Sequence, residues 1–161
     1  MPIATAGLTG FLPRLGDFAP LTQALAEGKS PLALSGLAAV HRAYVAAGLR
    51  QATGRPLVLV CPDDGEARRM AGDLAALTGG EVPLLPARDF LFHPGAASRQ
   101  WEHRRLSVLR ALAAGECPLL VCTVEALLQR TMPKSQLIHA AQTLRLGESH
   151  DLNELDRKSV V

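Results

Sequence analysis

The chain has 161 residues, 48% of them hydrophobic and 20% charged, so it is long enough to bury one core and too apolar for a disordered protein. A net charge of +2 does not by itself indicate a nucleic-acid-binding protein, because such proteins usually carry a clustered basic face. No apolar run approaches the roughly 18 residues of a membrane span, and the N-terminus lacks a basic segment followed by an apolar stretch and a cleavage site, so we expect a cytoplasmic protein with no membrane partner.

The cysteines and histidines predict neither a disulfide nor a metal site. The three cysteines never form a Cys-x-x-Cys pair, and the five histidines never form a His-Glu-x-x-His pair. The residues concerned are Cys61, Cys117, Cys122, His41, His93, His103, His139 and His150. We therefore expect free buried thiols, as in a reducing compartment, and no bound metal.

The first predicted elements are a short helix and a short strand. Asp17 to Glu27 has helical spacing, with Asp17 as the predicted N-cap and Gly28 as the end. The apolar run "SPLALSG", which ends at Gly36, is too short for a buried helix and predicts the first strand. The helix "LAAVHRAYVAAGLRQATG" follows it directly and ends at Gly54.

The second strand and the helix after it have the clearest signals in the chain. The run "RPLVLVCP" predicts a strand through the aliphatic residues Leu57 to Val60, and "DDGEARRMAGDLAALTGG" predicts a helix that ends at its glycine pair. Asp63 and Glu66 have the spacing of a capping box. Capping is favoured over the alternative that Asp63 and Asp64 are paired catalytic or metal-binding carboxylates.

A third strand, "EVPLLPA", leads into the irregular segment "RDFLFHPGAA". This segment brings Phe90, Phe92 and His93 close together, which a binding loop would do. Aromatic side chains that pack a crossover onto the edge of the sheet explain the same pattern, and we favour that interpretation.

The next helix, "SRQWEHRRLSVLRALAAGE", has apolar and basic residues on different faces. Leu106, Leu109 and Ala113 form the predicted inner stripe. The predicted outer residues are Arg99, His103, Arg104 and Arg110. Non-specific DNA contact by the arginines of this helix, from Ser98 to Arg110, is a hypothesis that predicts binding with a steep salt dependence.

The fourth strand, "CPLLVCT", is almost wholly apolar, and Thr123 is the predicted cap of the helix "VEALLQRTM", which ends before Pro133. Four apolar strands that alternate with helices indicate strands buried on both faces. The predicted fold class is therefore α/β, with a parallel sheet and flanking helices joined by right-handed crossovers.

The turn after the first predicted strand has the layout of a phosphate-binding loop without its residues. That loop follows the pattern GxxxxGK[ST], in which glycines admit the phosphates, lysine binds them and the hydroxyl binds magnesium. Gly36 occupies the first glycine position. His41 stands at the second glycine, Arg42 at the lysine and Ala43 at the Ser/Thr. We therefore predict an eroded site with no cofactor and no catalytic residue, although Arg42 keeps a positive charge at the helix start.

Five segments, taken in order, resemble a known family. They are "SPLALSGLAAVHRAYVAA", "GRPLVLVCPDDGEARRMAGDL", "LLPARDFLFHP", "RRLSVLRALAAGE" and "LLVCTVEALLQRTMPKSQL". Together they cover roughly Leu25 to Gly147 and resemble the N-terminal region of the bacterial transcription-repair coupling factor, Mfd, a degenerate relative of the excision repair protein UvrB.

The resemblance implies a non-catalytic module of UvrB domain 1a type with a degenerate phosphate loop. In the family this module recruits UvrA through an inserted domain and restrains the full-length protein. In the family, ATP-driven translocation on DNA and the engagement of RNA polymerase belong to other domains. The resemblance therefore implies that contacts with DNA and RNA polymerase are made by regions that are absent from this chain.

The resemblance also divides the chain. Residues 1–30 are a helical lead-in, residues 31–132 are the degenerate phosphate-loop domain, and residues 133–161 begin the inserted domain. We expect a truncated fragment, an incomplete lobe with an exposed sheet edge or apolar face, and UvrA-contacting residues mostly beyond Val161. The alternative from the residues alone is a small independent α/β domain that binds an anion or nucleotide near Gly36 and Arg42.

Overall fold

The computed structural model describes residues 5–87 and 99–141, together with Gly147 and Ser149. The predicted loop 88–97 and most of the segment 133–161 therefore lie outside the described residues. The elements, in chain order, are a 3-10 helix at Thr5–Arg14, α1 at Phe18–Ala26, α2 at Ala39–Thr53, β1 at Leu57–Cys61, α3 at Asp64–Thr78, β2 at Leu84–Leu85, α4 at Arg99–Ala114, β3 at Leu119–Thr123, α5 at Val124–Leu128 and α6 at Lys134–Ala140.

The predicted α/β class with a parallel sheet is confirmed. Within the described residues the sheet has three strands in the order β1-β3-β2, and both pairs are parallel. Leu57 lies opposite Leu119, and Leu85 lies opposite Cys122. Because both strand pairs are parallel, the carboxyl ends of all three strands meet at one edge.

Helices cover both faces of this sheet. On one face α3 packs on the sheet, α2 packs on α3, and the 3-10 helix packs on both. The core of that face is made of small and aliphatic residues, namely Ala43, Ala46, Ala47, Cys61, Ala67, Met70, Leu74, Val82, Leu119 and Val121. On the other face α4 covers a second cluster around Leu85, Leu120 and Cys122.

The first predicted strand is wrong. Residues Pro31 to Gly36 form no strand and are exposed, including the large side chains Leu32 and Leu34. An extended segment becomes a strand only when a neighbouring strand pairs with its backbone groups. No described strand lies beside this segment, so its apolar pattern is left without a partner.

The prediction that the strands are buried on both faces holds for β3 but not for β1. Every residue of β3 is buried. Val58 and Val60 of β1 are 53% and 49% exposed. They lie on the face of Leu120 and Cys122, and α4 covers β2 and β3 there without reaching β1.

Two further local predictions about helices are corrected. Asp17 has helical backbone angles and makes no capping hydrogen bond, because the Phe18 amide donates to the Leu15 carbonyl and the chain runs almost directly from the 3-10 helix into α1. Leu106, predicted to face inward, is 45% exposed. The buried stripe of α4 lies about one residue away and includes Arg105.

Other predicted boundaries are confirmed. Gly28, Gly54 and Gly79 each follow the end of a helix with a positive φ, the left-handed conformation that glycine adopts most easily. Asp63 accepts a hydrogen bond from the Glu66 amide at 2.8 Å, and Thr123 accepts one from the Ala126 amide at 3.2 Å. These side chains begin α3 and α5 at the carboxyl ends of β1 and β3.

Candidate functional site at the carboxyl edge of the sheet

The four predicted phosphate-loop positions lie around the start of α2, in different environments. Gly36 has φ of +76° with open space where a Cβ would stand. His41 and Arg42 are exposed, whereas Ala43 is fully buried in the core. The methyl group of Ala43 therefore packs against apolar side chains at the position where a phosphate loop would present a hydroxyl to magnesium.

Arg42 has a carboxylate partner that sequence spacing did not show. Its guanidinium donates to the Glu66 carboxylate at 2.8 Å, and its Nε lies 3.5 Å from the Leu37 carbonyl oxygen. Glu66 belongs to the first turn of α3, next to the cap Asp63. The packing of α2 on α3 brings these residues together across 24 positions of sequence, which is why no local motif predicts the pair.

Cys61 is the last residue of β1 and is buried beside this ion pair. Burial raises the pKa of the Cys61 thiol, the Glu66 and Asp63 carboxylates raise it further, and the Arg42 guanidinium lowers it in part. A thiol with a raised pKa is protonated at neutral pH and is a poor nucleophile or metal ligand. The surroundings of Cys61 are those of a core residue.

Across the sheet, Arg105 and Trp101 of α4 bind the chain where it leaves β2. The Trp101 indole donates to the Ala87 carbonyl at 2.8 Å. The Arg105 guanidinium donates to the Pro86 carbonyl at 2.7 Å and to the Ala126 carbonyl at 3.1 Å. Arg105 therefore joins α4, the end of β2 and α5.

Arg105 is only 7% exposed, and among the described residues it has no carboxylate partner. Burial lowers the pKa of its guanidinium. The sequence analysis missed this residue: it placed Arg99, Arg104 and Arg110 on the outer face of the helix and assigned Arg105 no position. The available signal was the spacing of Trp101, Arg105, Val108 and Leu112, which places the four side chains on one helical face.

A groove of about 640 Å³ runs between α4 and the segment from α5 to Met132. Arg105 lies at its base, and the lining includes Leu106, Leu128 and Met132, with Leu128 80% exposed. The walls are mostly apolar. Leu106, which the sequence predicted to face the core, lines this groove instead.

Of the described residues, none forms a group of three or more histidine, cysteine, aspartate or glutamate side chains that could hold a metal ion. The three cysteines are free and buried, as predicted. In the same part of the chain, no helix is both long and apolar enough to cross a membrane.

Two curated proteins match most of the chain. The transcription-repair-coupling factor of Bacillus subtilis is 28% identical over 144 residues, which is 88% of this chain and 12% of that protein. The transcription-repair-coupling factor of Myxococcus xanthus is 31% identical over 155 residues, or 89% of this chain and 13% of that protein. The chain is similar to transcription-repair coupling factors.

The predicted resemblance to this family is thus confirmed, while the assignment to its UvrB-like region stays a prediction. The chain spans about one eighth of the length of the coupling factors that it matches. No protein-family model and no solved structure matches the chain.

Proposed function

We propose that this chain is a non-catalytic, UvrB-like module of a transcription-repair coupling factor. In this role it serves transcription-coupled nucleotide excision repair by helping to recruit UvrA and to restrain the motor of the full-length protein. The observation that carries the proposal is the similarity to two coupling factors along 88% and 89% of the chain. A match of that breadth is more specific than any single motif in the sequence.

The geometry at the start of α2 supports a module without ATPase chemistry. Hydrolysis of ATP needs a lysine-type cation free to bind phosphate and a hydroxyl or carboxylate that binds magnesium. Arg42 is paired with Glu66, and Ala43 is buried in the core. Neither residue offers what the reaction requires.

Exposed apolar surface supports the proposal that residues 31–132 form an incomplete domain, to which residues 133–161 add the proposed start of another. Leu32 and Leu34 precede α2 with no described strand beside them, and no described helix covers Val58 and Val60. Buried parallel sheets normally carry helices on both faces. We propose that further strands and helices of a coupling factor pair with and cover these residues.

A chimera tests the proposal directly. The residues of the Bacillus subtilis coupling factor that align with this chain are replaced by this chain, and UvrA binding is measured by calorimetry for the parent, the chimera and the isolated chain. We expect the chimera to bind UvrA within a few fold of the parent and the isolated chain to bind weakly or not at all. A folded chimera that loses binding would contradict the scaffold role.

The isolated chain provides a second outcome. If it binds UvrA as tightly as the parent, the contact surface lies within these 161 residues and the proposed boundary near residue 133 is wrong. The module role would then stand with a different contact surface.

The competing function is an independent anion- or nucleotide-binding domain. The observation that favours it is the position of Arg42, half exposed at the start of a 15-residue helix. A ligand at 100 times its Kd adds about 2.7 kcal/mol to stability. We expect ATP with magnesium to leave the unfolding temperature unchanged, and a saturable increase would favour the competing function.

A further inference from the structure

The first turns of α2 and α3 carry opposite charge patterns. Helix α2 begins after Ala38 with no side-chain cap and no acidic residue in its first turn, and Arg42 adds a positive charge close to that end. Helix α3 begins with the cap Asp63 and has Asp64 and Glu66 in its first turn. Because the N-terminus of a helix is electropositive, a cation there is unfavourable and an anion is favourable.

Glu66 is placed to offset the positive charge at the start of α2. Its side chain is 21% exposed and that of Arg42 is 53% exposed, with 2.8 Å between the nitrogen and the oxygen. The Glu66 amide is held by Asp63, so the residue that carries the carboxylate is fixed at the start of its own helix. Two independent hydrogen bonds thus hold Glu66 in place.

We propose that Glu66 is the internal counter-ion of Arg42, and that it occupies the guanidinium that a free anion would otherwise bind and holds the first turn of α2 against α3. The Glu66 carboxylate thus takes the place beside Arg42 that an anionic ligand would have. Its consequence is that the start of α2 is closed to phosphate as long as Glu66 is present. This inference does not depend on which larger protein the chain serves.

Thermal unfolding of the full 161-residue chain tests the inference, with inorganic phosphate as the probe and chloride at equal ionic strength as the reference. The variants are Glu66→Gln, Arg42→Gln and the double variant. The matched control is Glu116→Gln, which removes another exposed 2.8 Å ion pair, that of Arg110 and Glu116. Phosphate also stabilises proteins generally because it is excluded from their surface. The response of Glu116→Gln to phosphate measures this general effect.

We expect Glu66→Gln to lower the unfolding midpoint by about 1 to 4 °C. Phosphate should restore at least half of that loss in Glu66→Gln, while the parent, the double variant and Glu116→Gln show only the general effect. The double variant should be no less stable than the less stable single variant, because the two residues act as a pair.

Three results would overturn the proposal: additive losses in the two single variants, a phosphate response in Glu66→Gln equal to that of Glu116→Gln, or a specific phosphate response in the parent. If Glu66→Gln fails to fold, the exchange of charges in Arg42→Glu with Glu66→Arg decides the matter. If this charge-exchanged variant folds, the result supports the Arg42–Glu66 pair. If it also fails to fold, the result contradicts the pair.

Discussion

The two faces of the sheet are held together by different kinds of interaction. On the α2 and α3 face, small side chains let helices approach closely, and no charged side chain is among the buried core residues that the structure describes there. On the α4 face, a buried guanidinium and an indole bind backbone carbonyls, and part of the sheet stays uncovered. The first face depends on shape and the second on a few directional bonds, so the two faces should respond differently to substitution.

Removing the directional bonds should have the largest effect. Arg105→Ala removes the guanidinium that donates to the part-buried Pro86 carbonyl and the buried Ala126 carbonyl, and we expect it to lower the free energy of unfolding by about 3 kcal/mol. Arg104→Ala, an exposed neighbour on the same helix, should change it by less than about 0.5 kcal/mol. Urea unfolding measures both losses. Equal losses in the two variants would contradict the prediction that the hydrogen bonds of Arg105 stabilise the fold more than an exposed arginine does.

The shape-dependent face is tested at Gly48. A Cβ at this position would overlap the buried Leu12 side chain and contact Phe18, so Gly48→Ala should displace the 3-10 helix and lower the free energy of unfolding by about 2 kcal/mol. The control is Gly72→Ala, at an exposed site in α3 with no atom near the added methyl group. It should stabilise the chain by about 0.5 to 1 kcal/mol.

Both variants are read by the same urea titration, and the Tyr44 hydroxyl, which donates to the Leu8 carbonyl at 2.6 Å, reports the 3-10 helix by fluorescence. A loss in Gly48→Ala without a change in tyrosine environment would contradict the proposed displacement.

The loss of stability at alkaline pH compares one buried thiol from each face of the sheet, Cys61 and Cys122. Burial raises the pKa of both Cys61 and Cys122. A raised folded-state pKa gives stability that is complete below the unfolded pKa of about 8.5 and is lost as pH rises through the folded value. Each thiol should therefore lower the free energy of unfolding by up to about 1.4 kcal/mol per pH unit above pH 8.5.

The alanine variants of these two cysteines should each show a shallower decline between pH 8.5 and 10 than the parent, in urea titrations at fixed ionic strength. Since the Glu66 carboxylate also raises the Cys61 pKa, Glu66→Gln should lower the Cys61 pKa directly, and should act on the Cys122 pKa only through the charge of Cys61, as measured by carbon NMR of labelled cysteine. Identical pH slopes in all variants would contradict the assignment to these thiols.

The smallest expected effect distinguishes Asp63 from Asp17, since the sequence predicts both residues as helix N-caps. Asp63→Ala should lower the free energy of unfolding by about 1 kcal/mol, because it removes the cap of α3. Asp17→Ala removes no capping bond and should change it by less than about 0.5 kcal/mol. A comparable loss at both positions in thermal unfolding would show that Asp17 also caps its helix in solution.

The confirmed sequence predictions were those that depend on local physics. Glycine at helix ends, the cap at Asp63 and the cap at Thr123 concern backbone groups within a few residues of the side chain involved. Continuous aliphatic runs at β1 and β3 likewise identified strands of a parallel sheet. The assignment of Gly36, His41, Arg42 and Ala43 to an eroded phosphate loop stays a prediction.

Only the tertiary structure determined which segments pair with a neighbouring strand and which side chains have a bonding partner. The run "SPLALSG" has the composition of a strand, but none of the strands in the described part of the chain lies beside it, and it is exposed. Arg42 acquires Glu66, and Arg105 is buried against two carbonyls, only because elements far apart in sequence pack together. Composition and spacing determine what a segment can form, and pairing across the fold determines what it does form, because backbone and charged groups are stabilised only by the partners that packing brings within reach.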